Sequence, residues 1–306
     1  MRIIFIGAVA FSRHCLREIL AHGGEVVGIV TIDPSERDRH ADYADLRGLA
    51  DLHEIPCLAV RQINDPAAVA AIRRLRPDVI FVFGWSQLLS AEILRIPPKG
   101  CIGAHPALLP QHRGRHPIIW TLVEGLEEGA LTFFYCTEGA DDGDILWQRS
   151  FPIALTDTAA TVYRKIEALA STAIRELLPQ LRQGIAPRRP QDPAQASYWR
   201  KRTAADGAIR WDAPTRTTYN LVRALTRPYP GATCRCGGAT VIIWSAALPV
   251  DPLPAQAAFL PAGALFTWNA ALHVRTGDGY LTLREYSASD GRTLQAGEQF
   301  SAEVRE

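Results

Sequence analysis

Three histidines, His105, His112 and His116, fall within twelve positions, in and just beyond the stretch GCIGAHPALLPQHRGR at Gly100–Arg115. Imidazole titrates closer to neutrality than any other side chain, so it is suited to moving a proton at working pH. Downstream, EGADDGDI at Glu138–Ile145 sets Asp141, Asp142 and Asp144 on a turn interrupted by Gly139 and Gly143. A carboxylate beside an imidazole orients the ring and stabilises its charged form. On its own, His105 is open to two readings, a hydrogen-bonded loop histidine or a general base. The acidic stretch is equally open to being an ordinary turn or the partner of His105. His112 and His116 are four apart, a metal-ligand spacing on a helix. Pro106, Pro110, Gly114 and Pro117 break any such helix, and no nearby Cys or carboxylate completes a ligand set. No metal is expected.

The elements that must position these groups follow from apolar patterning. RIIFI at residues 2–6 is a buried-strand run ending at Gly7. Ser12–Ala21 has helical spacing, Glu25–Val30 is a second strand, and Asp33–His40 is a charged loop. A short helix over Leu46–His53, a strand over Pro56–Val60 and a helix over Ala67–Leu75, stopped by Pro77, come next. DVIFVF at Asp78–Phe83 is the clearest buried strand. Strands alternating with helices predict a doubly wound parallel sheet, with ligands beyond the carboxyl ends of its strands. Thr156-Asp157-Thr158 opens an amphipathic helix with Val162, Ile166, Leu169, Ala173 and Leu177 on one face. Residues 184–206, rich in Pro, Arg, Gln and Asp, predict a linker. Thr233–Ser245, Ala264–Thr276 and Tyr280–Tyr286 read as strands joined by Gly-rich turns such as Gly277-Asp278-Gly279, which predicts a small C-terminal β-barrel. The expected division is 1–183, a linker at 184–206, and 207–306.

Composition narrows the function. The chain has 306 residues, beyond the usual size of one domain, and 47% of them are hydrophobic. The 33 basic and 32 acidic residues leave a net charge of +1, which argues against a broad nucleic-acid footprint. No apolar run reaches the ~20 residues of a membrane helix. The scattered cysteines, Cys15, Cys57, Cys101, Cys136, Cys234 and Cys236, contain no C-x-x-C, and a reduced cytoplasmic protein is expected. Cys234 and Cys236 alternate in a strand and share a face. After Gly7, Val9 and Ser12 stand where a dinucleotide fingerprint has its second and third glycines, so a nicotinamide enzyme is disfavoured.

GAHPALLPQHRGRHPIIW followed by EGADDGDI resembles the folate-dependent formyltransferase family, whose pattern is N-x-H-x-S-L-L-P-x-x-R-G and then D-x-G-D-I. The resemblance extends to the opening RIIFIG, to DVIFVFGWSQLL, to KRTAADGAIRW and to the C-terminal barrel, nearly the whole chain. It implies a Rossmann-like α/β catalytic domain with a smaller OB-like barrel. It also implies transfer of a formyl group from N10-formyltetrahydrofolate to an amine. In that resemblance His105 takes the position of the catalytic histidine and Asp141 that of the aspartate which holds it. Gln87, Leu88 and Leu89, with Gly139 and Ala140, lie where the family binds the pterin. Leu108, Leu109 and Pro110 match the motif loop, with Arg113-Gly114 after it. One position departs: the family's third catalytic residue is an Asn two before the histidine, and here it is Gly103. Losing an oxyanion donor costs ~2.7–4 kcal/mol of transition-state stabilisation. A backbone N–H, a bound water, or a side chain such as Gln87 or Ser86 is the expected substitute; a catalytically weak, binding-only protein is the other reading.

The acceptor is less legible. GRHPIIW, RKRTAADGAIRW and VRALTRPYPGA resemble sugar-nucleotide N-formyltransferases of surface-polysaccharide biosynthesis. The implied acceptor is a nucleotide-linked amino sugar of the 4-amino-4-deoxy or 4,6-dideoxy kind. Arg223–Gly231 is equally readable as a structural junction. Ser12, Arg13, Arg115 and Trp120 are the candidate acceptor contacts, arginine being suited to a diphosphate. Methionyl-tRNA is the alternative acceptor. The mixed charge of Asp33–Asp42 (DPSERDRHAD) disfavours it, as do three acids after Gly291 (Glu298, Glu303, Glu306) set against Arg292 and Arg305. Family members are often dimers, and a homodimer is the oligomer the resemblance implies.

Overall fold

The computed structural model describes residues 1–39 and 42–301. His40 and Ala41 of the charged loop, and the Glu303, Arg305 and Glu306 of the tail, lie outside the described residues. In chain order the elements are β1 (Arg2–Ile6), α1 (Ala10–Ala21), β2 (Glu25–Ile32), α2 (Arg47–Leu52), β3 (Cys57–Val60), α3 (Pro66–Arg74), β4 (Val79–Val82), α4 (Ala91–Leu94), β5 (Cys101–His105), β6 (Arg113–Gly114), α5 (Pro117–Val123), β7 (Glu128–Tyr135), β8 (Ile145–Pro152), α6 (Ala159–Gln183), β9 (Tyr198–Trp199) and α7 (Thr215–Leu225). They are followed by β10 (Ala232–Cys236), β11 (Ala239–Ala247), β12 (Leu265–Trp268), β13 (Ala271–Arg275), β14 (Tyr280–Ala288) and β15 (Phe300–Ser301). The charged loop after β2 contains a 3-10 helix, Pro34–Arg39.

Two compact units form. The first comprises Met1–Pro117, Glu128–Pro152 and Tyr163–Trp199; the second comprises Ile118–Glu127, Ile153–Val162 and the chain from Arg200 onward.

The first unit is built on a seven-stranded sheet in the order β3-β2-β1-β4-β5-β7-β8. β1 to β5 run parallel, and the β7–β8 hairpin adds antiparallel to β5. This is the predicted Rossmann-like arrangement. A central parallel strand is covered on both faces, so it needs a continuous apolar run rather than an alternating one. β1 meets that demand: Ile3, Ile4, Phe5 and Ile6 are all fully buried. Each such side chain contributes roughly 1.5–3 kcal/mol on burial. Phe83 extends the core, with ring centroids 5.9 Å from Phe5, 5.2 Å from Phe81 and 4.8 Å from Phe133.

The turn after β1 explains why this sheet lacks a dinucleotide cradle. The backbone N–H groups of Ala8 and Val9 donate to Ser12 Oγ at 3.1 Å each, and the hydroxyl donates to Phe83 O at 2.6 Å. The amides that would face a pyrophosphate are turned onto the chain's own hydroxyl. Close packing requires Gly84, which has φ of 65° and stands where a Cβ would meet Val9 and Ser12.

The second unit carries an antiparallel six-stranded sheet, β12-β13-β14-β11-β10-β15. Leu265 N donates to Glu298 O at 2.8 Å and Gly297 N to Leu265 O at 2.9 Å, which joins the start of β12 to the approach to β15 and closes the barrel. Two expected single strands are hairpins instead. Thr233–Ser245 folds back at Gly237 and Gly238, and Ala264–Thr276 at Asn269 and Ala270, all with positive φ. The right-handed twist of paired strands favours such left-handed turn residues. Cys234 and Cys236 are buried together on one face of β10, and all six cysteines are free thiols.

Arg223 on α7 is 4% exposed and spans a gap within this unit. It donates to the carbonyls of Ala154 and Asp157 at 3.1 Å each and to Asn220 Oδ1 at 2.9 Å. A charged donor satisfying buried carbonyls contributes ~1.5–3 kcal/mol per bond. Arg223→Met is expected to cost about 3 kcal/mol in denaturant titration, and Arg223→Lys, which lacks the forked donors, is expected to recover little of it.

Asp206 caps the chain ahead of α7. Arg200 forks onto its carboxylate, and Thr203 donates to it from N at 2.6 Å and from Oγ1 at 3.2 Å. The Arg200 bond first, then those from Thr203, hold the carboxyl well below the usual carboxylate range. A depressed carboxyl stabilises the fold when ionised, and that contribution disappears as pH falls below the unfolded value of ~3.9. Asp206→Asn is therefore expected to lower the melting temperature at pH 7, with the gap to the parent narrowing steadily below about pH 4.

Candidate active site

β5 brings His105 to the carboxyl end of the sheet, where doubly wound folds hold their ligands. The chain then turns through the Pro-rich loop, which is pinned to the sheet. Thr132 Oγ1 donates to Ala107 O at 2.6 Å, and Gln148 Nε2 to Leu109 O at 2.8 Å. So anchored, the loop returns the His112 carbonyl to 2.7 Å from His105 Nε2. A carbonyl only accepts, so Nε2 carries the proton and the lone pair of neutral His105 sits on Nδ1. Nδ1 faces Asp141 Oδ2 at 3.6 Å. That exceeds a hydrogen bond but places a carboxylate where it stabilises an imidazolium. The His105 side chain is 6% exposed, so the attraction is weakly screened.

Asp141 is held from both ends. Gly114 N donates to its Oδ2 at 2.9 Å, and Gln191 Nε2 donates to its carbonyl at 2.9 Å and to Gly143 O at 2.7 Å. Asp141 has φ of 56° and His112 has φ of 63°. Left-handed backbone at non-glycine residues costs ~1–3 kcal/mol and persists only where surroundings enforce it. Both residues flank His105.

Gly103 lies two residues before His105, opposite Phe134 of β7. A Cβ at Gly103 would stand 2.8 Å from the Phe134 ring and 3.1 Å from Cys136 Sγ. The room an Asn side chain would need is filled by Phe134, which packs with Leu109 and Ile145. Burial, with the charges of Cys101 and Asp141 adding to it, pushes the Cys136 thiol up, and burial pushes Cys101 up to about 12, so neither is a nucleophile at neutral pH.

Of the other residues singled out in the sequence, Gln87 is committed to its neighbours. Its Oε1 accepts from Ile63 N at 2.8 Å and its Nε2 donates to Arg61 O at 2.7 Å. Leu88 is 57% exposed beyond β4, Leu89 is buried, and Ser86 is exposed. Leu108 is 37% exposed beyond β5, and Gly139 and Ala140 are exposed in the loop before Asp141. Ser12 is fully buried with its hydroxyl saturated, so it shapes the turn and offers nothing to an acceptor. Arg13 and Arg115 are exposed. Trp120 belongs to the second unit, where its Nε1 donates to Arg200 O at 2.9 Å and its ring lies 4.7 Å from the Arg202 guanidinium. A depression of about 880 Å³, lined by Arg73, Arg76, Asp78, Glu92 and Arg95, opens at the amino end of β4 rather than beside His105. Among the described residues, no three His, Cys, Asp or Glu side chains gather as a metal set. No described helix is long and apolar enough to cross a membrane.

Gln191 escaped the sequence reading. It sits in the polar stretch expected as a linker, and nothing in its spacing separates it from solvated neighbours. Its signal is three-dimensional: Arg189 exchanges backbone hydrogen bonds with Ile145, and β9 pairs with β6.

An imidazole with a bare nitrogen facing a carboxylate, at the ligand-binding end of a doubly wound sheet, suits an enzyme that moves a group by accepting a proton. Comparison with known proteins agrees: a family model described as formyl transferase matches residues 1–178, and its C-terminal-domain counterpart matches residues 201–303. The chain belongs to the formyl transferase family.

Solved structures share the fold. WlaRD, a sugar 3N-formyl transferase determined with dTDP and 5-N-formyl-THF, aligns at a TM-score of 0.67 and 15% identity, covering 92% of this chain and 96% of its own. An N-formyltransferase from Helicobacter canadensis, in complex with folinic acid and dTDP-3-aminofucose, gives 0.68 at 15% identity over 93% and 98%. HypX from Aquifex aeolicus, in complex with tetrahydrofolic acid, gives 0.68 at 19% identity over 94% of this chain and 44% of that one.

Proposed function

We propose that the protein transfers the formyl group of N10-formyltetrahydrofolate to the amine of a nucleotide-linked amino sugar, of the 4-amino-4-deoxy or 4,6-dideoxy kind. The observation that carries this reading is His105 facing Asp141 within a chain of the formyl transferase family. The sugar acceptor is supported by neighbours of near-equal length described with dTDP or a dTDP-sugar, and by the near-neutral charge of the chain.

The donor is a substrate that supplies an activated one-carbon acyl group. The residues fit it: exposed Leu88 and Leu108 offer apolar side chains at the ends of β4 and β5, and the exposed Gly139–Ala140 backbone offers polar contacts to a pterin edge. His105 Nδ1 takes the proton that the acceptor amine must lose as it attacks the formyl carbon. Asp141 holds the resulting imidazolium in place. The new C–N bond forms first, giving a tetrahedral oxyanion. His105 then returns the proton to the departing nitrogen of the donor as the oxyanion collapses and the old C–N bond breaks, so the proton count balances. With Phe134 in the room of the motif Asn and Gln87 bonded elsewhere, the charged His105 ring carries the electrostatic stabilisation of the oxyanion.

The test is a mass-spectrometric screen with the purified protein, N10-formyltetrahydrofolate, and a panel of UDP- and dTDP-amino sugars beside initiator Met-tRNA. Gain of one formyl group on a sugar nucleotide supports the reading. Formylation of the tRNA alone replaces it, and binding of donor without transfer to any acceptor returns the protein to a binding role.

A further inference from the structure

We propose that Gln191 is a positioning residue for the reaction, fixing Asp141 so that its carboxylate faces His105. The inference rests on the catalytic reading of that pair. The orientation of the Gln191 amide is fully determined. Arg113, 5% exposed, has only donors, and its Nε and Nη2 lie 3.1 and 2.7 Å from Gln191 Oε1. The oxygen must therefore face Arg113, which turns the NH2 group to the carbonyls of Asp141 and Gly143. Arg113 is itself locked by Tyr198, whose hydroxyl accepts from Nη1 at 2.9 Å.

The consequence falls on one backbone unit. Asp141 occupies a left-handed conformation, and it lies between exposed Ala140 and exposed Asp142 in a loop. Its two fixed points are the Gly114 N–H on the carboxylate and the Gln191 amide on the carbonyl. Gly114 directly follows Arg113, so one buried arginine sets both. The same segment reaches the other partner: His112, whose carbonyl holds His105 Nε2, donates its N–H to Ser197 Oγ at 2.9 Å and stacks on Trp199 at 4.1 Å. Gln191 is the member whose loss frees Asp141 without touching His105.

Gln191→Glu separates positioning from bulk support. It keeps an oxygen against Arg113 and removes both donors to the loop. The expected result is a fall of about 10²-fold in kcat, as for a misplacement near 1 Å, with KM for donor and acceptor within about twofold. In an Asp141→Ala background the same change is expected to add nothing, because Gln191 acts through Asp141. Effects that multiply, a rise in KM alone, or full activity overturn the proposal. Gln191→Met serves the same cycle if the glutamate variant does not fold.

A readout independent of turnover is the 15N resonance of the His105 ring, identified by its loss in His105→Ala. Gln191→Glu is expected to move it in the same direction as Asp141→Ala, and an unmoved resonance overturns the proposal. If the parent protein formylates no acceptor yet the resonance moves as expected, the functional reading fails while the positioning role stands.

Discussion

His105→Ala is expected to lower formyl transfer by about 10²–10⁴-fold, the usual worth of a positioned general base. The expectation follows from the fixed tautomer. Because the His112 carbonyl occupies Nε2, only Nδ1 can take the amine proton, and Nδ1 faces Asp141. Such a loss corresponds to about 2.7–5.4 kcal/mol of transition-state stabilisation. The decrease should appear in kcat with donor KM nearly unchanged, since the donor contacts proposed at Leu88, Leu108 and the Gly139 loop remain in place. Asp141→Asn keeps an oxygen for the Gly114 N–H but removes the charge, and should lie between the parent and His105→Ala. Initial rates at saturating donor check both. Near-full activity in His105→Ala would remove the imidazole from the mechanism.

The second large effect concerns Gly103. Restoring the family Asn there looks like a route to a faster enzyme, yet the packing predicts the reverse. A Cβ at this position stands 2.8 Å from the Phe134 ring, and overpacking of a buried site costs typically ~1–3 kcal/mol. Gly103→Asn should lower the melting temperature and leave kcat no higher. Pairing it with Phe134→Val makes room across the β5–β7 ladder. The double variant should be more stable than the two single effects summed, a coupling expected of directly opposed residues. If the freed amide reaches the oxyanion, the double variant should exceed Phe134→Val in kcat by up to ~10²-fold. An equally stable Gly103→Asn single variant would show that Phe134 does not fill the site.

Much of this was legible in the residues. Continuous apolar runs gave β1 and β4 because both faces of a central strand are covered, and the joint spacing of His105 and Asp141 pointed to one family. Hairpins at Gly237 and Asn269 were obscured because turn residues inside an apolar run barely interrupt its period. Ser12 looked available for an acceptor, since sequence records a hydroxyl but not the two N–H groups that saturate it. The meaning of Gly103 depended on Phe134, thirty-one positions downstream and adjacent only through strand register. Gln191 was hidden for the same reason: its partners, Arg113 and the Asp141–Gly143 loop, come from two stretches of chain far from it in sequence.

The weave of the chain between the two units bears on how the molecule is made. Ribosomal synthesis delivers His105 and Asp141 long before Gln191 and Ser197, which complete the hydrogen bonds around them. The nascent sheet can therefore assemble while its chemistry is still slack. The second unit, for its part, joins the chain from Arg200 onward to two short earlier excursions, Ile118–Glu127 and Ile153–Val162. On the proposed role of Gln191, excising the first 183 residues as a portable cassette would export a scaffold that lacks the bonds made by Gln191 and Ser197.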